Sequence, residues 1–208
     1  MRNMARLFWL ATCAVTLFAA DAPRVIYTKS FPGSVPAYVE IAVDKTGATV
    51  YKEDPKDDHP LEFKLSEADA ATIFGFADRL GHFTRPVESG LKVAFMGAKT
   101  FRYEDGDGAA HEVKFNYSED LDAKTLLDWF ERISETERAL IGLETAVRFD
   151  KLGVQDAILR IEVLRDQKRA VAEEQFLPLL DRVVKNESYL HMARSRAAAL
   201  TESIRAPK

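Results

Sequence analysis

The sequence contains a single cysteine, Cys13, so the chain alone forms neither an internal disulfide nor a metal site built from several thiolates. Histidine is scarce as well. None of the four histidines has a partner at the spacing that places two imidazoles on one helical face. A nucleophile elbow, a phosphate-binding P-loop and the Rossmann glycine pattern are also missing. These absences leave no candidate catalytic, cofactor-binding or metal-ligating residue, and we expect no cofactor.

A large excess of positive charge is missing too. The chain carries 29 Lys and Arg against 33 Asp and Glu, which gives a formal net charge of −4. Proteins that bind nucleic acid need a clustered basic surface to neutralise phosphates, so this balance argues against nucleic acid as a partner. With 47% hydrophobic and 30% charged residues, the composition is typical of a folded protein with a buried core.

The longest uncharged run lies at the N-terminus and has the features of an export signal. Arg2 and Arg6 give a positive start, and residues 7–20 carry no charge before Asp21 ends the run. This pattern is typical of a cleaved signal peptide, and the run is shorter than the roughly 20 apolar residues that span a bilayer. We predict a signal peptide over residues 1–20 with cleavage near 20–22. We therefore expect a periplasmic or secreted protein with no transmembrane span after processing.

The only thiol lies inside this predicted signal. Leu10-Ala11-Thr12-Cys13 is similar to a bacterial lipobox, except that Thr12 stands where Gly, Ala or Ser is usual. A lipid anchor at Cys13 is therefore the minor alternative to removal of the whole segment. If the signal is removed, the mature chain has no cysteine nucleophile and no disulfide.

Residues 23–136 have the pattern of an α+β domain. Val39, Ile41 and Val43 alternate with polar residues at the period of a strand, and Gly47 suits the turn of a hairpin. Ser66 is placed to cap a helix that Gly81 ends. The pattern predicts strands over 25–28, 37–43, 48–52, 91–96, 100–103 and 112–117 and helices over 66–80 and 122–133.

Residues 137–208 have only helical patterns, and their apolar positions recur at an offset of 36 residues. Such recurrence is typical of stacked helix pairs, and residues 137–204 resemble HEAT-type repeats. We predict an α+β fold with a small antiparallel sheet and packed helices, followed by two helical-repeat-like hairpins. A plain helical bundle is the alternative for this part. The equivalent positions are Leu140, Leu143, Val147, Val154, Ala157, Ile161 and Leu164 in the first unit and Phe176, Leu179, Val183, Leu190, Ala193, Ala197 and Leu200 in the second.

A stiff loop over residues 30–38 joins the first two predicted strands. Its Gly33, Pro36 and Tyr38 fall on three positions of the C-x-G-x-C-P-x-Y motif with which a bacterial domain of unknown function opens. Residues 25–133 weakly resemble that family in element order as well. Phe31 and Val35 replace the two cysteines, so thiol chemistry at this point is not expected here. The resemblance implies the same α+β architecture and no established activity.

Four residues are candidates for contact with a partner. Phe31 and Tyr38 flank the stiff loop, while Arg160 and Arg196 are equivalent positions of the two helical units. Repeat proteins use one face of their stack for recognition, so matched arginines would suit an acidic protein segment or a lipid headgroup. A solvated helix surface is the alternative interpretation.

We therefore expect an exported, non-catalytic protein-binding or scaffolding module that contacts another envelope or secreted protein. Two alternatives stay open. A hydrolase would carry a carboxylate-based site in a pocket between the two halves, with two carboxylates of perturbed pKa. A secreted protein inhibitor would present the loop over 31–36 as an exposed wedge.

Overall fold

The structure is a computed structural model that describes residues 22–206. The predicted signal peptide and Cys13 lie outside these residues. Among the described helices, none is both long and apolar enough to cross a membrane.

The first half of the described chain forms a six-stranded sheet in which every neighbouring pair is antiparallel. The order across the sheet is β4-β3-β2-β1-β5-β6, so β1 lies at the centre. The strands are β1 (Arg24–Ser30), β2 (Tyr38–Asp44), β3 (Ala48–Lys52), β4 (Leu61–Lys64), β5 (Ala98–Glu104) and β6 (Ala110–Phe115).

The sheet buries one face because its strands alternate between apolar and polar residues. Val25 and Tyr27 on β1 point inward together with Ile41 on β2 and Phe101 on β5, and all four are at most 2% exposed. The residues between them point to the opposite face, which none of the helices within residues 22–206 covers. An antiparallel sheet with one buried and one solvated face follows directly from this period of two.

Helix α1 (Glu67–Arg79) connects β4 to β5 and covers the inner face of the sheet. It begins where predicted, because the Ser66 hydroxyl accepts a hydrogen bond from the Asp69 backbone N–H at 3.1 Å. Gly47 in the β2–β3 turn has a φ of +87°, and a Cβ there would lie 2.5 Å from the Leu65 carbonyl oxygen. The close approach of the hairpin to the start of α1 therefore requires glycine.

We expect Ser66→Ala to lower the free energy of unfolding by about 1 kcal/mol, because the first turn of α1 loses its side-chain cap. Urea denaturation of the two proteins would measure the difference. Ser66→Gly is the matched control, since glycine is tolerated at this position of a helix and should cost only a few tenths of a kcal/mol. Equal stability of the alanine variant and the natural protein would show that the cap is unimportant.

The rest of the chain is helical and shares one long helix with the sheet. Helix α2 (Leu121–Phe149) packs on the sheet through Leu126, Phe130 and Ile133, and its later residues enter a second core. Leu143 belongs to that second core and is fully buried. The remaining helices are α3 (Val154–Asp166), α4 (Leu177–Lys185) and α5 (His191–Arg205).

The predicted α+β class, with a helical C-terminal part, is confirmed. Two of the predicted apolar positions are shifted by one residue. Leu180 is fully buried whereas Leu179 is half-buried, and Tyr189 is buried whereas Leu190 is 48% exposed. A 3₁₀ turn at Glu173–Phe176 precedes α4. Phe176, Leu180 and Val183 are all fully buried and recur at intervals of four and three residues, so the buried face of α4 follows this row and not Leu179.

Two segments of the sheet half differ from the prediction. Residues 91–96 form no strand, and the Asn116 side chain instead holds them through the Met96 N–H and the Ala94 carbonyl. Glycines with positive φ, Gly90 and Gly97, bound this segment and interrupt an extended conformation. Conversely, β4 was not predicted, because four residues are too few for a clear period.

Candidate functional site

The inner face of the sheet ends in charged side chains instead of apolar ones. On β1 the inward row runs Val25, Tyr27, Lys29, and on the neighbouring β5 it begins at Lys99, which is paired in register with Lys29. Lys29 is half-buried and Lys99 is only 4% exposed. Two lysines at the end of a buried face are costly unless they have partners or a function.

Lys99 has partners from the protein backbone. Its Nζ donates to the Asn116 carbonyl oxygen at 2.8 Å and to the Met96 carbonyl oxygen at 3.3 Å. Burial lowers the pKa of Lys99, and the positive charge of Lys29 lowers it further. Lys29 itself forms no side-chain hydrogen bond or ion pair within residues 22–206. Lys29, the less buried lysine of the pair, is therefore the one available to a ligand.

The Tyr27 hydroxyl is the second unusual group. Its side chain is 2% exposed, and its ring stacks on Phe130 of α2 at 5.0 Å between centroids. The hydroxyl oxygen is buried and has no hydrogen-bond partner among the described atoms. Burial raises the pKa of Tyr27, so the hydroxyl stays protonated and keeps a hydrogen to donate. A buried hydroxyl without a partner is uncommon, because losing its hydrogen bonds to water is unfavourable.

Helix α2 supplies the opposite wall with Glu131, Ser134, Glu135 and Arg138, which share one helical face. Partial burial raises the pKa of Glu131, and nearby Lys29 opposes that rise. Glu135 is held elsewhere, because the Arg169 guanidinium donates to its two carboxylate oxygens at 2.5 and 3.0 Å.

The stiff β1–β2 loop forms the third wall. The Ser34 hydroxyl lies 2.7 Å from the Phe31 carbonyl oxygen and 2.6 Å from the Pro36 carbonyl oxygen, and the Val35–Pro36 peptide bond is cis. The Phe31 N–H donates to the Ala37 carbonyl oxygen at 2.8 Å. These contacts fold the loop on itself and leave Val35 80% exposed.

Together these walls enclose a concavity of about 310 Å³, which we call the α2 pocket. Its lining residues are Tyr27, Lys29, Ser34, Val35, Pro36, Val39, Glu131, Ser134, Glu135 and Arg138.

Exposed apolar side chains lie on the β1–β2 loop and on the segment that packs against it. Phe31 packs edge-on against Phe95 at 5.8 Å between ring centroids, which ties the loop to the segment before β5. Phe95 is 59% exposed and Met96 is 41% exposed. We call Val35, Phe95 and Met96 the apolar rim. A polar depression beside exposed apolar groups is the pattern of a recognition surface.

The four residues singled out from the sequence occupy four different places. Phe31 anchors the apolar rim. Tyr38 lies on the opposite face of the sheet, where its hydroxyl donates to Glu40 at 2.6 Å. Arg160 is exposed on α3, and Arg196 on α5 forms an ion pair with Glu162 of α3.

The pocket residues themselves were missed. Lys29 and Glu131 lie far apart in the sequence, and only the folded sheet and α2 bring them together. One signal was present in the sequence. A lysine at an inward position of an otherwise apolar strand contradicts the binary pattern, and such contradictions concentrate at functional sites.

The uncovered face of the sheet holds a wider concavity, of about 540 Å³. Its charged side chains are already paired with one another: Arg24 and Arg102 both contact Glu104, at 2.5 and 2.7 Å, and Lys114 lies 3.3 Å from Glu112. Exposed pairs of this kind are typical of a solvated face. The α2 pocket differs because one of its cationic side chains, Lys29, forms no ion pair within residues 22–206.

The α2 pocket carries charges of both signs. Glu131 lies near Lys29 and Glu135 is held by Arg169, so Lys29 and Arg138 are the groups that can bind a polar, negatively charged group. Lys29 and Arg138 can donate to an anion, and the Tyr27 hydroxyl can add a neutral hydrogen bond. Within residues 22–206, no group of three or more His, Cys, Asp or Glu is placed to hold a metal ion. Comparisons of the chain with family models, with curated proteins and with solved structures found no match.

Proposed function

We propose that the protein is an exported, non-catalytic binding module that contacts another envelope or secreted protein through the α2 pocket and its apolar rim. One observation carries the proposal: the buried Tyr27 hydroxyl has no partner in a pocket whose rim exposes Val35 and Phe95. A partner that covers the rim would bury apolar area, and its polar group would satisfy the hydroxyl. Both changes stabilise a complex.

The rim has the composition of an interface centre. Apolar and aromatic side chains in the middle of an interface contribute most of the binding energy, and a stiff loop loses little entropy when it binds. The folded loop over residues 31–37 is stiff in this sense, because Ser34 and Phe31 are bonded within it.

A photo-cross-linking experiment in the producing cells tests the proposal. The photoreactive amino acid p-benzoylphenylalanine is placed either at Val35 on the rim or at Phe149 at the far end of α2. These positions are matched in exposure, at 80% and 82%. We expect discrete cross-linked products from position 35 and none from position 149. Equal products from both positions, or none from position 35, would contradict the proposal.

The substitution Tyr27→Phe tests whether the Tyr27 hydroxyl contributes to binding of the same partner. The change removes the hydroxyl and keeps the ring that stacks on Phe130. We expect the apparent affinity for the cross-linked partner to fall about 5-fold, because one buried hydrogen bond is lost. Binding to the purified partner would be measured by isothermal titration calorimetry. An unchanged affinity would remove the pocket from the proposed interface and leave only the rim.

The exposure of Val35 also favours a second candidate, a protein inhibitor, since such proteins present a rigid loop to their target. If the cross-linked partner is an enzyme whose activity the purified protein abolishes, the binding module acts as an inhibitor.

The geometry supports a carboxylate hydrolase less well than a binding module. Such an enzyme would use two carboxylates of perturbed pKa. The α2 pocket contains two carboxylates, Glu131 and Glu135, and partial burial raises the pKa of Glu131. The Glu135 carboxylate is engaged through both oxygens by Arg169, so it is not free to act as a base or nucleophile.

A further inference from the structure

A second concavity lies directly beyond the α2 pocket along the same helix. It is a groove of about 280 Å³ between α2 and α3, which we call the α2–α3 groove. Arg138 lines both depressions, so the pocket and the groove meet at this side chain. The groove is lined by Arg138, Ala139, Gly142, Thr145, Ala146, Asp150, Gly153, Asp156, Ala157 and Arg160.

The floor of this groove is made of small residues. A Cβ added at Gly142 would meet no other atom within 4 Å, so the floor is open there, and Ala139 and Ala146 flank it on α2. Glu131, Ser134, Arg138, Gly142 and Thr145 recur every three or four residues, which places them along one face of α2. An extended chain that leaves the α2 pocket would therefore find a continuous path along the helix. Helices packed with large side chains between them offer no such path.

The charges along this path are unevenly distributed. Arg138 and Arg160 are exposed, and neither forms a side-chain hydrogen bond or ion pair within residues 22–206. Asp150 and Asp156 lie nearer the turn that joins α2 to α3. Asp150 is already used, because its Oδ1 accepts from the Gly153 N–H at 3.1 Å. The half of the groove next to the pocket is therefore basic. Of the two carboxylates that line the pocket itself, Glu135 is held by Arg169 and Glu131 lies near Lys29.

Resting on the proposed function, we infer that the α2 pocket and the adjoining half of the α2–α3 groove bind one extended acidic segment of the partner protein. One carboxylate of that segment enters the pocket beside Lys29 and the Tyr27 hydroxyl. A second carboxylate lies between Arg138 and Arg160. The overall net charge of −4 repels an acidic ligand in general. The attraction of the acidic segment is therefore confined to the α2 pocket and the adjoining half of the groove.

Fluorescence anisotropy tests the inference with the purified protein. The probe is a fluorescein-labelled heptapeptide, Gly-Asp-Glu-Gly-Asp-Glu-Gly, and its control replaces each Asp by Asn and each Glu by Gln. We expect the acidic peptide to bind at least about 10-fold more tightly than the neutral one at low salt, because two charge-assisted contacts are lost in the control. Equal binding of the two peptides would overturn the inference.

Two substitutions localise the binding. Arg138→Gln is expected to weaken binding of the acidic peptide about 10-fold. The matched control is Arg148→Gln on the same helix, because Arg148 is 60% exposed, pairs with Glu144 and lines neither concavity. Its affinity should stay within 2-fold of the natural protein. An equal loss from both substitutions would assign the binding to general attraction and overturn the inference.

Two further outcomes separate the alternatives. In the first, vesicles containing phosphatidylglycerol bind the protein and Arg138→Gln abolishes that binding. The pocket and the groove would then recognise a lipid headgroup, and the assignment to an acidic segment would be wrong. If neither peptide binds while cross-linking from position 35 persists, the acidic segment is wrong and the proposed protein-binding function stands.

Discussion

Replacing Phe130 with alanine is expected to lower the free energy of unfolding by about 3 to 5 kcal/mol, the range found when a large aromatic side chain is removed from a core. Phe130 is fully buried on α2. Its ring stacks on Tyr27 at 5.0 Å and lies 6.1 Å from the ring of Phe101, so it connects the helix to strands β1 and β5. The alanine would leave a cavity at the centre of this aromatic cluster.

Urea denaturation would measure this loss as a lower midpoint with an unchanged slope. Leu121→Ala provides the control, because Leu121 lies on the same helix and is 77% exposed. Substitutions at such positions usually change stability by less than about 0.5 kcal/mol. A similar small effect of Phe130→Ala would mean that α2 does not pack on the sheet in the way described.

The second large effect concerns pH. Glu137 is fully buried on α2, where the Gln175 amide donates to its Oε1 at 2.7 Å and its Oε2 has no partner among the described atoms. Burial raises the pKa of Glu137 from 4.5 to about 7. The folded protein therefore keeps this proton over a pH range in which the unfolded chain has lost it.

The direction of the effect follows from proton linkage. Between about pH 4.5 and pH 7, the folded state binds one more proton at Glu137 than the unfolded state does, so stability falls as the pH rises. Below pH 4.5 this contribution is fully present, and above pH 7 it is lost. The total is on the order of 3 kcal/mol.

Glu137→Gln removes this titration and keeps the size of the side chain. We expect the difference in unfolding free energy between the variant and the natural protein to grow in favour of the variant as the pH rises from 5 to 8. Chemical denaturation at several pH values would measure it. Glu187→Gln, at an exposed position, serves as the control and should follow the natural protein. Parallel curves for Glu137→Gln and the natural protein would contradict the raised pKa.

Local patterns in the sequence predicted much of the fold. The alternation of Val39, Ile41 and Val43 identified β2, and the Ser66 cap located the start of α1. Both signals are properties of neighbouring residues and need no knowledge of the rest of the chain. Where the pattern was short or irregular, as in Leu61–Lys64 and residues 91–96, the tertiary contacts decided the outcome and the prediction failed.

The candidate site could not be predicted in the same way. Tyr27 and Lys29 come from β1, Ser34 from the loop, and Glu131 and Arg138 from a helix about a hundred residues later. No sequence motif spans such a distance. The inward position of Lys29 was the one local indication of a site. It does not identify the site by itself, because Lys99 and Glu131, the neighbours of Lys29, are brought to it only by the fold.

Helix α2 runs without interruption from the sheet into the second core. Its continuity fixes the distance between the α2 pocket and the α2–α3 groove. From Glu131 in the pocket to Gly142 in the groove, the helix rises about 16 Å. An extended chain covers that length with about five residues. Because the helix is rigid, the spacing is set by the protein and not by its ligand. A partner segment that used both sites would have to carry its two acidic groups about four to five positions apart.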